Sequence, residues 1–495
     1  MKLYNSHTLR QIEADHAHCN PSLMARAGAA VADQVRELLL SLPAASAVLI
    51  VCGPGNNGGD ALVAAKHLQQ QGVALQVCLA ASADSLPPDA KAAHEAWLAS
   101  GGTCASSLPA DLSNFGLIVD ALFGIGLQRP IVGVYADWIE RINASGVPVL
   151  ALDVPSGLQG YSGCALGAVM RAQHTLTFIG CKPGLYTADG PDYCGRIALA
   201  DLGLDLSGYP SAGALLQVAD FAAQLQARAH NTHKGSFGNV RIVGGDAGMV
   251  GAALLAGRAA LHLGAGRVFV GLLDAAAPRV DSAQVELMLR SPEACMAESG
   301  ALCLGTGMGQ GADALRLLTT ALAGSGPLLL DADALNLLAS NPELHPLRMQ
   351  RGAALDLIIT PHPTEAARLL GCSTAQVQSD RIGAAQQLAQ QWQAVVVLKG
   401  CGSIIATPAG DYFINTSGNA GLATAGTGDV LSGFITALLA QGWPALAAAQ
   451  AGVHVHGCAG DALAEKLQGC IGFTAGELIP YGRQLLNQWV MQHNC

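Results

Sequence analysis

The chain of 495 residues is poor in aromatic and charged side chains, and this excludes several classes of protein. Aromatic residues make up 4% and the formal net charge is −10, so neither stacking platforms nor a basic surface for nucleic acid is expected. Charged residues are 13% against 51% hydrophobic residues, which excludes a disordered chain. The most apolar stretch, 249–263, contains Arg258 and much Ala and Gly, and therefore predicts a packed helix rather than a membrane span.

The fourteen cysteines are scattered singly, and no two of them form a C-x-x-C pair. Zinc-ribbon sites and a disulfide framework are therefore not expected, and reduced, mostly buried thiols are. Lys2, Arg10, Glu13 and Asp15 precede any long apolar run, so no secretory signal is predicted. These features predict a cytoplasmic protein that binds neither membrane nor nucleic acid.

The 60 glycines gather at the ends of apolar runs, as in α/β proteins with many strand-to-helix turns. Short β-rich runs alternate with amphipathic stretches, which predicts parallel sheets with helices on both faces. The first series has predicted strands at 47–52, 75–79, 117–120, 147–153 and 174–178, with helices within 6–40, 61–71 and 135–144. The second series has strands at 240–243, 267–271, 301–304, 328–331, 357–360, 394–398 and 403–406. A Gly-, Pro- and Ser-rich stretch at 207–213 places the boundary within 207–230 and predicts domains 1–215 and 225–495.

Residues 53–60 read Gly-Pro-Gly-Asn-Asn-Gly-Gly-Asp, directly after a predicted strand and at the start of a helix. Their glycines satisfy G-x-G-x-x-G, a turn whose helix N–H groups can bind phosphate. A nucleotide fingerprint also needs an acidic residue about 20 positions further on, where this chain has Cys78, Leu79 and Ala80. The pattern gives weak support to a hydride-transfer site, and a purely structural turn stays open.

Polar side chains also follow the neighbouring predicted strands. Asp120 ends one strand, and Asp153 ends the next in the run Asp-Val-Pro-Ser-Gly that contains Ser156. Each residue alone is a common cap or turn former. Because the carboxyl ends of parallel strands share one edge, these residues converge with Asn57 and Asp60 on a predicted ligand crevice.

In order and spacing, the segments NNGGD, VDALFGIG and DVPSG resemble the NAD(P)H-hydrate epimerase domain, together with a later CKPGL turn at 181–185. The resemblance covers about residues 1–215 and implies a Rossmann-like three-layer domain. It implies a K⁺ site at Asn57, Asp120 and Ser156, whose oxygen donors suit a hard cation. It also makes Asp153 the acid/base that inverts C6 of the hydrated nicotinamide ring. The implied hydrate-binding residues are Asn56, Asn57, Gly58, Gly59, Asp60, Gly124, Ile125, Gly126, Leu127, Gln128, Arg129, Pro130 and Asp153.

The most specific motif is Asn-Ala-Gly-Leu-Ala-Thr-Ala-Gly-Thr-Gly-Asp-Val-Leu-Ser-Gly at 419–433. A loop of small residues enters an apolar helix, and the amides of Gly426, Thr427 and Gly428 can stabilise negative charge as a phosphoryl group moves. Asp429 in the first turn can then take a proton from a substrate hydroxyl. The structural alternative is an Asp-capped helix after a flexible turn.

Three further segments agree with a phosphoryl-transfer site: Pro-His-Pro-Thr-Glu at 361–365, Lys399-Gly400, and the Asp331/Asp333 pair. Singly, His362 can be a turn histidine, Lys399 a surface lysine and Asp331 a cap. With Thr-His-Lys-Gly-Ser-Phe-Gly-Asn at 232–239 and Gly-Thr-Gly-Met-Gly at 305–309, they resemble the hydrate dehydratase branch of the ribokinase-like α/β fold over about 225–490. The G-x-x-x-x-G-K-[ST] P-loop is absent from the sequence.

This second resemblance implies ADP as co-substrate and Mg²⁺ on its phosphates. Phosphorylation of the C6 hydroxyl makes a good leaving group, and the ring nitrogen then expels phosphate to restore NAD(P)H. The implied hydrate contacts are Ala252, Gly309, His362 and the catalytic Asp429. The implied ADP-binding residues are Lys399, Gly400, Cys401, Gly402, Ser403, Asn419, Ala420, Gly421, Thr424, Ala425, Gly426, Thr427 and Gly428.

The sequence thus predicts a bifunctional enzyme of metabolite repair, an isomerase and lyase. Its substrates would be the hydrates of NADH and NADPH (NADHX and NADPHX) with ADP, and a homo-oligomer is expected. One alternative is a small-molecule kinase of the ribokinase superfamily fused to a Rossmann-like ligand-binding module. Another is a first domain that only senses a ligand, since Rossmann-like folds host many roles; Asn57, Asp120 and Asp153 argue against it.

Overall fold

The computed structural model describes residues 1–41, 47–127, 129–351 and 357–494. The chain forms two compact units, Met1–Ala214 and Leu215–Cys495, called the first and second unit below. Both consist of helices around a largely parallel sheet, which confirms the predicted α/β class. Within the described ranges, no helix is long and apolar enough to cross a membrane.

The first unit contains a seven-stranded parallel sheet. Over residues 1–215 the strands are β1 (Lys2–Leu3), β2 (Ala47–Cys52), β3 (Leu75–Leu79), β4 (Cys104–Ala105), β5 (Phe115–Ala121), β6 (Val149–Leu152), β7 (His174–Phe178), β8 (Arg196–Ala200) and β9 (Gly213–Leu215). Its helices are α1 (Ser6–Asp15), α2 (Leu23–Leu39), α3 (Asn56–Gln70), α4 (Pro88–Ala99), α5 (Val134–Ser145) and α6 (Gly190–Cys194). The sheet runs β4-β3-β2-β5-β6-β7-β8, while β1 and β9 pair with each other in an antiparallel manner and are not part of it.

The strand order reverses between β2 and β5, because the chain fills the sheet outward in both directions from this pair. Ligands of open α/β sheets bind at the carboxyl ends of strands at such a switch point. Side chains alternate along β2, so that Val48 and Ile50 join a core with α1 to α4. Leu49 and Val51 join a second core with α5. The sheet is therefore buried on both faces, as its continuous apolar strands require.

The second unit is built on seven parallel strands followed by an antiparallel hairpin edge. Its strands are β10 (Asn239–Gly244), β11 (Arg267–Leu272), β12 (Met288–Arg290), β13 (Ala301–Leu304), β14 (Leu328–Leu330), β15 (Leu357–Ile359), β16 (Val395–Leu398), β17 (Ile404–Ala406) and β18 (Tyr412–Ile414). The first six helices are α7 (Val250–His262), α8 (Pro292–Ala297), α9 (Ala312–Ala323), α10 (Asp333–Ser340), α11 (His345–Gln350) and α12 (Pro363–Leu370). The remaining five are α13 (Thr374–Ser379), α14 (Arg381–Trp392), α15 (Thr427–Ala440), α16 (Ala445–Leu467) and α17 (Ala475–Asn494).

The order β12-β11-β10-β13-β14-β15-β16-β17-β18 again reverses at one point, between β10 and β13. Helix α15 lies in the centre of the unit, with Val430 to Leu439 buried throughout. A helix that is apolar on all sides is typical of a core element, and α15 shares one core cluster with α7, α16 and α17. Its amino end therefore has a fixed position relative to the ends of the central strands.

Several predicted bounds are wrong in detail. The helical segment 6–40 is two helices, α1 and α2, separated around the cis Asn20–Pro21 bond. The strand predicted at 147–153 ends at Leu152, and Asp153 instead adopts a left-handed φ of 64°. The helix predicted at 61–71 begins earlier, at Asn56, because the glycines of this segment are helical. The short strands β8, β12 and β18 were not predicted, because they have only three to five residues each.

Candidate functional site

A cavity of about 1140 Å³ opens at the carboxyl ends of β2, β5 and β6 in the first unit. Most of the predicted hydrate-binding residues line it: Asn56, Asn57, Asp60, Gly124, Ile125, Gly126, Leu127, Arg129 and Asp153. Gly58, Gly59 and Pro130 are not among the lining residues, and Gln128 lies outside the described residues. A Cβ on Gly59 would lie 2.6 Å from Met24 Cε and 2.9 Å from Ala90 Cα, so this glycine serves helix packing.

Asp153 is fixed at the cavity wall by a buried lysine. The Lys182 ammonium donates to Asp153 Oδ1, to Thr177 Oγ1 at 2.9 Å and to the Phe178 carbonyl at 2.7 Å. The Phe178 N–H also donates to Asp153 Oδ1, at 3.3 Å. Lys182 belongs to the CKPGL turn and has no role predicted from the sequence, because the pair joins residues that are 29 positions apart.

Two further carboxyl groups face the same cavity, Asp60 and Glu13. Burial, with the negative charges of Asp153 and Glu13, raises the pKa of Asp60 well above its usual value. Burial and the charge of Asp153 also raise the pKa of Glu13. The cavity thus combines a carboxyl group that is paired with a cation, Asp153, and a carboxyl group that favours its protonated form, Asp60. Glu13 was not predicted as a site residue, since it stands alone on α1.

Asp120 and Ser156 form a closed buried pair beneath this cavity. The Ser156 hydroxyl donates to Asp120 Oδ1 at 2.7 Å, and the Ser156 N–H donates to Oδ2 at 2.8 Å. Burial nevertheless raises the pKa of Asp120 to about 6, with the bonds from Ser156 and Leu122 opposing it. Asn57 lies near Asp153, because a Cβ on Gly124 would be 3.6 Å from Asn57 Cγ and 3.5 Å from Asp153 Oδ2.

In the second unit, the loop before α15 is held by its own side chains. Gly426 has a left-handed φ of 90°, and the Thr427 hydroxyl donates to the carbonyls of Leu422 and Thr424 at 2.9 and 3.0 Å. Asp429 follows in the first helical turn. Burial and the charge of Asp331 raise the pKa of Asp429 to about 7, while Lys399 opposes them. A carboxyl group that titrates near neutral pH suits a general base.

Asn419 and His362 use their side chains within the protein. Asn419 Nδ2 donates to Asp461 Oδ1 at 2.9 Å, and its Oδ1 accepts from the Gly421 N–H at 3.0 Å. His362 Nδ1 accepts the N–H groups of Thr364 and Glu365 at 3.1 and 3.3 Å, so it caps α12. Its Nε2 lies 3.2 Å from Glu365 Oε1, and burial and Lys399 lower its pKa.

The turn at 399–403 rests on Arg381, a buried residue at the start of α14 that was not predicted. Arg381 donates to the Lys399 carbonyl at 3.3 Å, and a Cβ on Gly400 would lie 2.8 Å from the guanidinium. Gly400 has φ of 137°, so both backbone conformation and space require glycine there. The Ser403 hydroxyl donates to the Gly400 carbonyl at 3.1 Å, which closes the turn.

Gly309 and Ala252 belong to neighbouring loops at the β10–β13 switch point. The Gly309 N–H donates to Asp333 Oδ2 at 3.0 Å. A Cβ on Gly307 would lie 3.2 Å from Ala252 Cβ. A second cavity, of about 370 Å³, lies beside Asp246 and the start of α9. It contains none of the four residues predicted to contact the hydrate in this unit.

Each of the two α/β units is built on a largely parallel sheet and has an acidic group at a strand or helix end. This arrangement is that of an enzyme with two sites. The model of the YjeF-related protein N-terminus family matches residues 20–184, and that of the NAD(P)H-hydrate dehydratase family matches residues 240–480. The bifunctional NAD(P)H-hydrate repair enzyme Nnr of Coxiella burnetii is 39% identical over 98% of this chain and 99% of its own length. The Escherichia coli enzyme of the same name is 38% identical over 95% of this chain and 90% of its own.

The chain therefore belongs to the bifunctional NAD(P)H-hydrate repair enzymes. Among solved structures, an ADP/ATP-dependent NAD(P)H-hydrate dehydratase of Bacillus subtilis, crystallised with ATP and Mg²⁺, is 27% identical with a TM-score of 0.49. That similarity covers 56% of this chain and 99% of the Bacillus chain.

Proposed function

We propose that the chain repairs hydrated NADH and NADPH by two reactions. The predicted domain 1–215, which falls on the first unit, interconverts the R and S hydrates at C6. The predicted domain 225–495, within the second unit, uses ADP to dehydrate the S hydrate to NAD(P)H. The main support is that each unit has its own acid/base group in a suitable environment: Asp153 lines the large cavity, and Asp429 titrates near pH 7.

In the first unit, Asp153 takes the proton of the C6 hydroxyl while the cavity holds the hydrated ring. The C6–N1 bond then breaks, the C6 oxygen becomes an aldehyde carbonyl and N1 takes a proton, so that re-addition of N1 to the other face of the carbonyl inverts C6. Its bond to Lys182 keeps the carboxylate in one orientation. Asp60 faces the same cavity, and burial first, with the charges of Asp153 and Glu13, raises its pKa well above the usual value, which favours its protonated form. One group that accepts a proton beside one that donates it is the requirement for inverting a carbon that bears a hydroxyl.

The buried oxygens beneath the cavity fit a monovalent cation. Asn57 Oδ1 is buried and has no hydrogen-bond partner among the described residues. Asp120 is a fully buried carboxyl group that no basic side chain pairs with in this part of the chain. We propose that Asn57, Asp120 and Ser156 hold K⁺, which would supply the positive charge that this oxygen-rich pocket lacks.

In the second unit, Asp429 takes the proton of the C6 hydroxyl while the hydroxyl oxygen attacks the β-phosphorus of ADP. The oxygen–phosphorus bond forms and AMP leaves. The nitrogen lone pair of the ring then expels phosphate to give an iminium ion, and loss of a proton from C5 to the released phosphate or to water regenerates NAD(P)H. The Gly426–Gly428 amides at the start of α15 lie where a helix favours negative charge. Within the described residues no group of three His, Cys, Asp or Glu side chains suits a metal, so Mg²⁺ would be carried mainly by the phosphates and water.

One experiment tests both reactions. The full chain is incubated with mixed R and S hydrates and ADP, and the absorbance of reduced nicotinamide is followed. Complete recovery requires both activities, whereas recovery of only the S fraction indicates that the first unit does not epimerise. If the chain phosphorylates an unrelated small alcohol and no reduced nicotinamide is recovered, the alternative of a ribokinase-superfamily kinase is favoured instead. We also propose that the chain forms a homo-oligomer, which light scattering on the full chain measures.

A further inference from the structure

The Lys399 ammonium is held by a buried carboxylate at the end of a strand that is separated from its own strand by β15. Lys399 follows β16 and Asp331 follows β14, and the Lys399 Nζ donates to Asp331 Oδ1 at 2.7 Å. Asp331 is 2% exposed. Its Oδ1 also accepts the Ala332 N–H at 2.9 Å, and its Oδ2 accepts the Ser432 hydroxyl at 2.7 Å. Asp331 is therefore fixed on both oxygens, and Lys399 is fixed with it.

This ammonium lies directly against the first turn of α15. A Cβ on Gly428 would be 3.6 Å from Lys399 Nζ, and Gly428 is the residue before Asp429. The amino end of a helix carries partial positive charge, so an ammonium there is unfavourable unless carboxylates compensate it. Asp331 supplies that compensation from the side, and Ser432, one turn after Asp429 on the same helix, ties Asp331 to α15.

We propose that Asp331 is a positioning residue for dehydration, and that the Lys399 ammonium it holds is the counter-charge of Asp429 and not a ligand of the nucleotide. This inference rests on the proposed function of the second unit. The backbone of the 399–403 turn stays available to ADP, since Arg381 and Ser403 hold it without using the ammonium. Lys399 was predicted from the sequence to bind ADP, and the proposal gives its side chain a different partner.

The charges around Asp429 determine the direction in which each substitution should shift its pKa. Burial and Asp331 raise the pKa of Asp429 to about 7, and Lys399 lowers it. Cys303 on β13 also interacts electrostatically with Asp429. Glu365 on α12 and its cap residue His362 interact electrostatically with Lys399 and Asp331. His456 on α16 interacts electrostatically with Lys399.

The test compares two substitutions that break the same ion pair, Asp331→Asn and Lys399→Met. The pH dependence of kcat for dehydration is measured for each at saturating ADP. In Asp331→Asn, the acid limb of the profile should move to lower pH by about one unit, because a negative neighbour of Asp429 is removed. In Lys399→Met, it should move to higher pH, because the positive neighbour is removed. A merely structural pair would shift both profiles alike or neither, and that result overturns the proposal.

Ser432→Ala is the matched control, since it frees one oxygen of Asp331 without changing any charge. Its acid limb should stay within a few tenths of a pH unit of the wild-type limb. Lys399→Met should leave the KM for ADP within about threefold; a tenfold rise with an unmoved limb assigns Lys399 to the nucleotide and overturns the proposal. If Asp331→Asn does not fold, the direction of the Lys399→Met shift decides.

The proposed function and this inference fail in different ways. A wild-type chain that does not dehydrate the hydrate in the presence of ADP refutes the proposed function. In that case the Asp429 carboxyl is titrated directly by carbon NMR in the wild type and both variants. Opposite displacements of its pKa still support the counter-charge, and equal displacements refute it.

Discussion

Replacing Asp429 by Asn removes the base that we assign to dehydration while keeping the size of the side chain. If Asp429 takes the hydroxyl proton, kcat for dehydration should fall by about 10²–10⁴-fold. This corresponds to about 3–5 kcal/mol of activation free energy. The residual activity should also lose the acid limb near pH 7 that the raised pKa of Asp429 gives the wild type.

The same substitution should stabilise the folded protein above neutral pH. Burial first, and Asp331 second, raise the pKa of Asp429 from 3.8 to about 7 in the folded state, so folding favours the protonated carboxyl. The stability that this group contributes is complete below about pH 4 and is lost as the pH rises through about 7. Asn resembles the protonated form, so its advantage over the wild type should grow from about pH 4 to pH 8, up to at most about 4 kcal/mol.

The assays are dehydration kinetics and thermal unfolding of the full chain at pH 5 and pH 8. The exposed Asp411 provides a control, because Asp411→Asn should change neither the rate nor the pH dependence of the unfolding temperature. Epimerisation should be unaffected in both variants, since the first unit has its own site. Near-normal dehydration by Asp429→Asn would refute the assignment of the base. If the variant loses ADP binding while the rate of the chemical step is unchanged, Asp429 binds the nucleotide or its metal and is not the base.

Three further predictions concern other parts of the chain. Asp120→Asn should abolish the stimulation of epimerisation by KCl and leave ADP-dependent dehydration intact; equal loss of both activities would indicate unfolding instead. Lys182→Met should lower kcat for epimerisation by at least tenfold, because Asp153 loses its fixed orientation and counter-charge, and an unchanged rate across a pH series would contradict this. A chain that begins at Leu216 should fold and dehydrate the S hydrate, as circular dichroism and the absorbance assay would show; if it folds but stays inert until the first unit is added back, the domain assignment is wrong.

The order of motifs predicted the fold class because strand ends are marked by small and acidic residues. A buried strand followed by Asp or by a glycine turn is visible in one sequence, as at Asp120 and Asp331. The alternation of such strands with helices leaves few arrangements other than a parallel sheet. The strands β8, β12 and β18 are short, and each is defined by its pairing with the strand before it, β7, β11 and β17.

The partners of the site residues were less predictable than the residues themselves. Lys182 and Arg381 stabilise a site from positions 29 and 18 residues away from the groups they contact, and neither lies in a pattern with a known chemical meaning. His362 and Asn419 were recognised as motif residues, but a motif does not tell whether a side chain faces a ligand or caps its own helix. That choice depends on backbone direction, which only the folded chain defines.

The left-handed backbone at Asp153, with φ of 64°, limits which residues can replace it over evolutionary time. Only glycine, asparagine and aspartate adopt this conformation readily, and β-branched residues are strongly disfavoured. A relative that has lost epimerisation through drift should therefore keep Asn or Gly at this position rather than Val, Thr or Ile. For the same reason, saturation mutagenesis at Asp153 should give β-branched variants that are less stable than the Asn and Gly variants by about 1–2 kcal/mol.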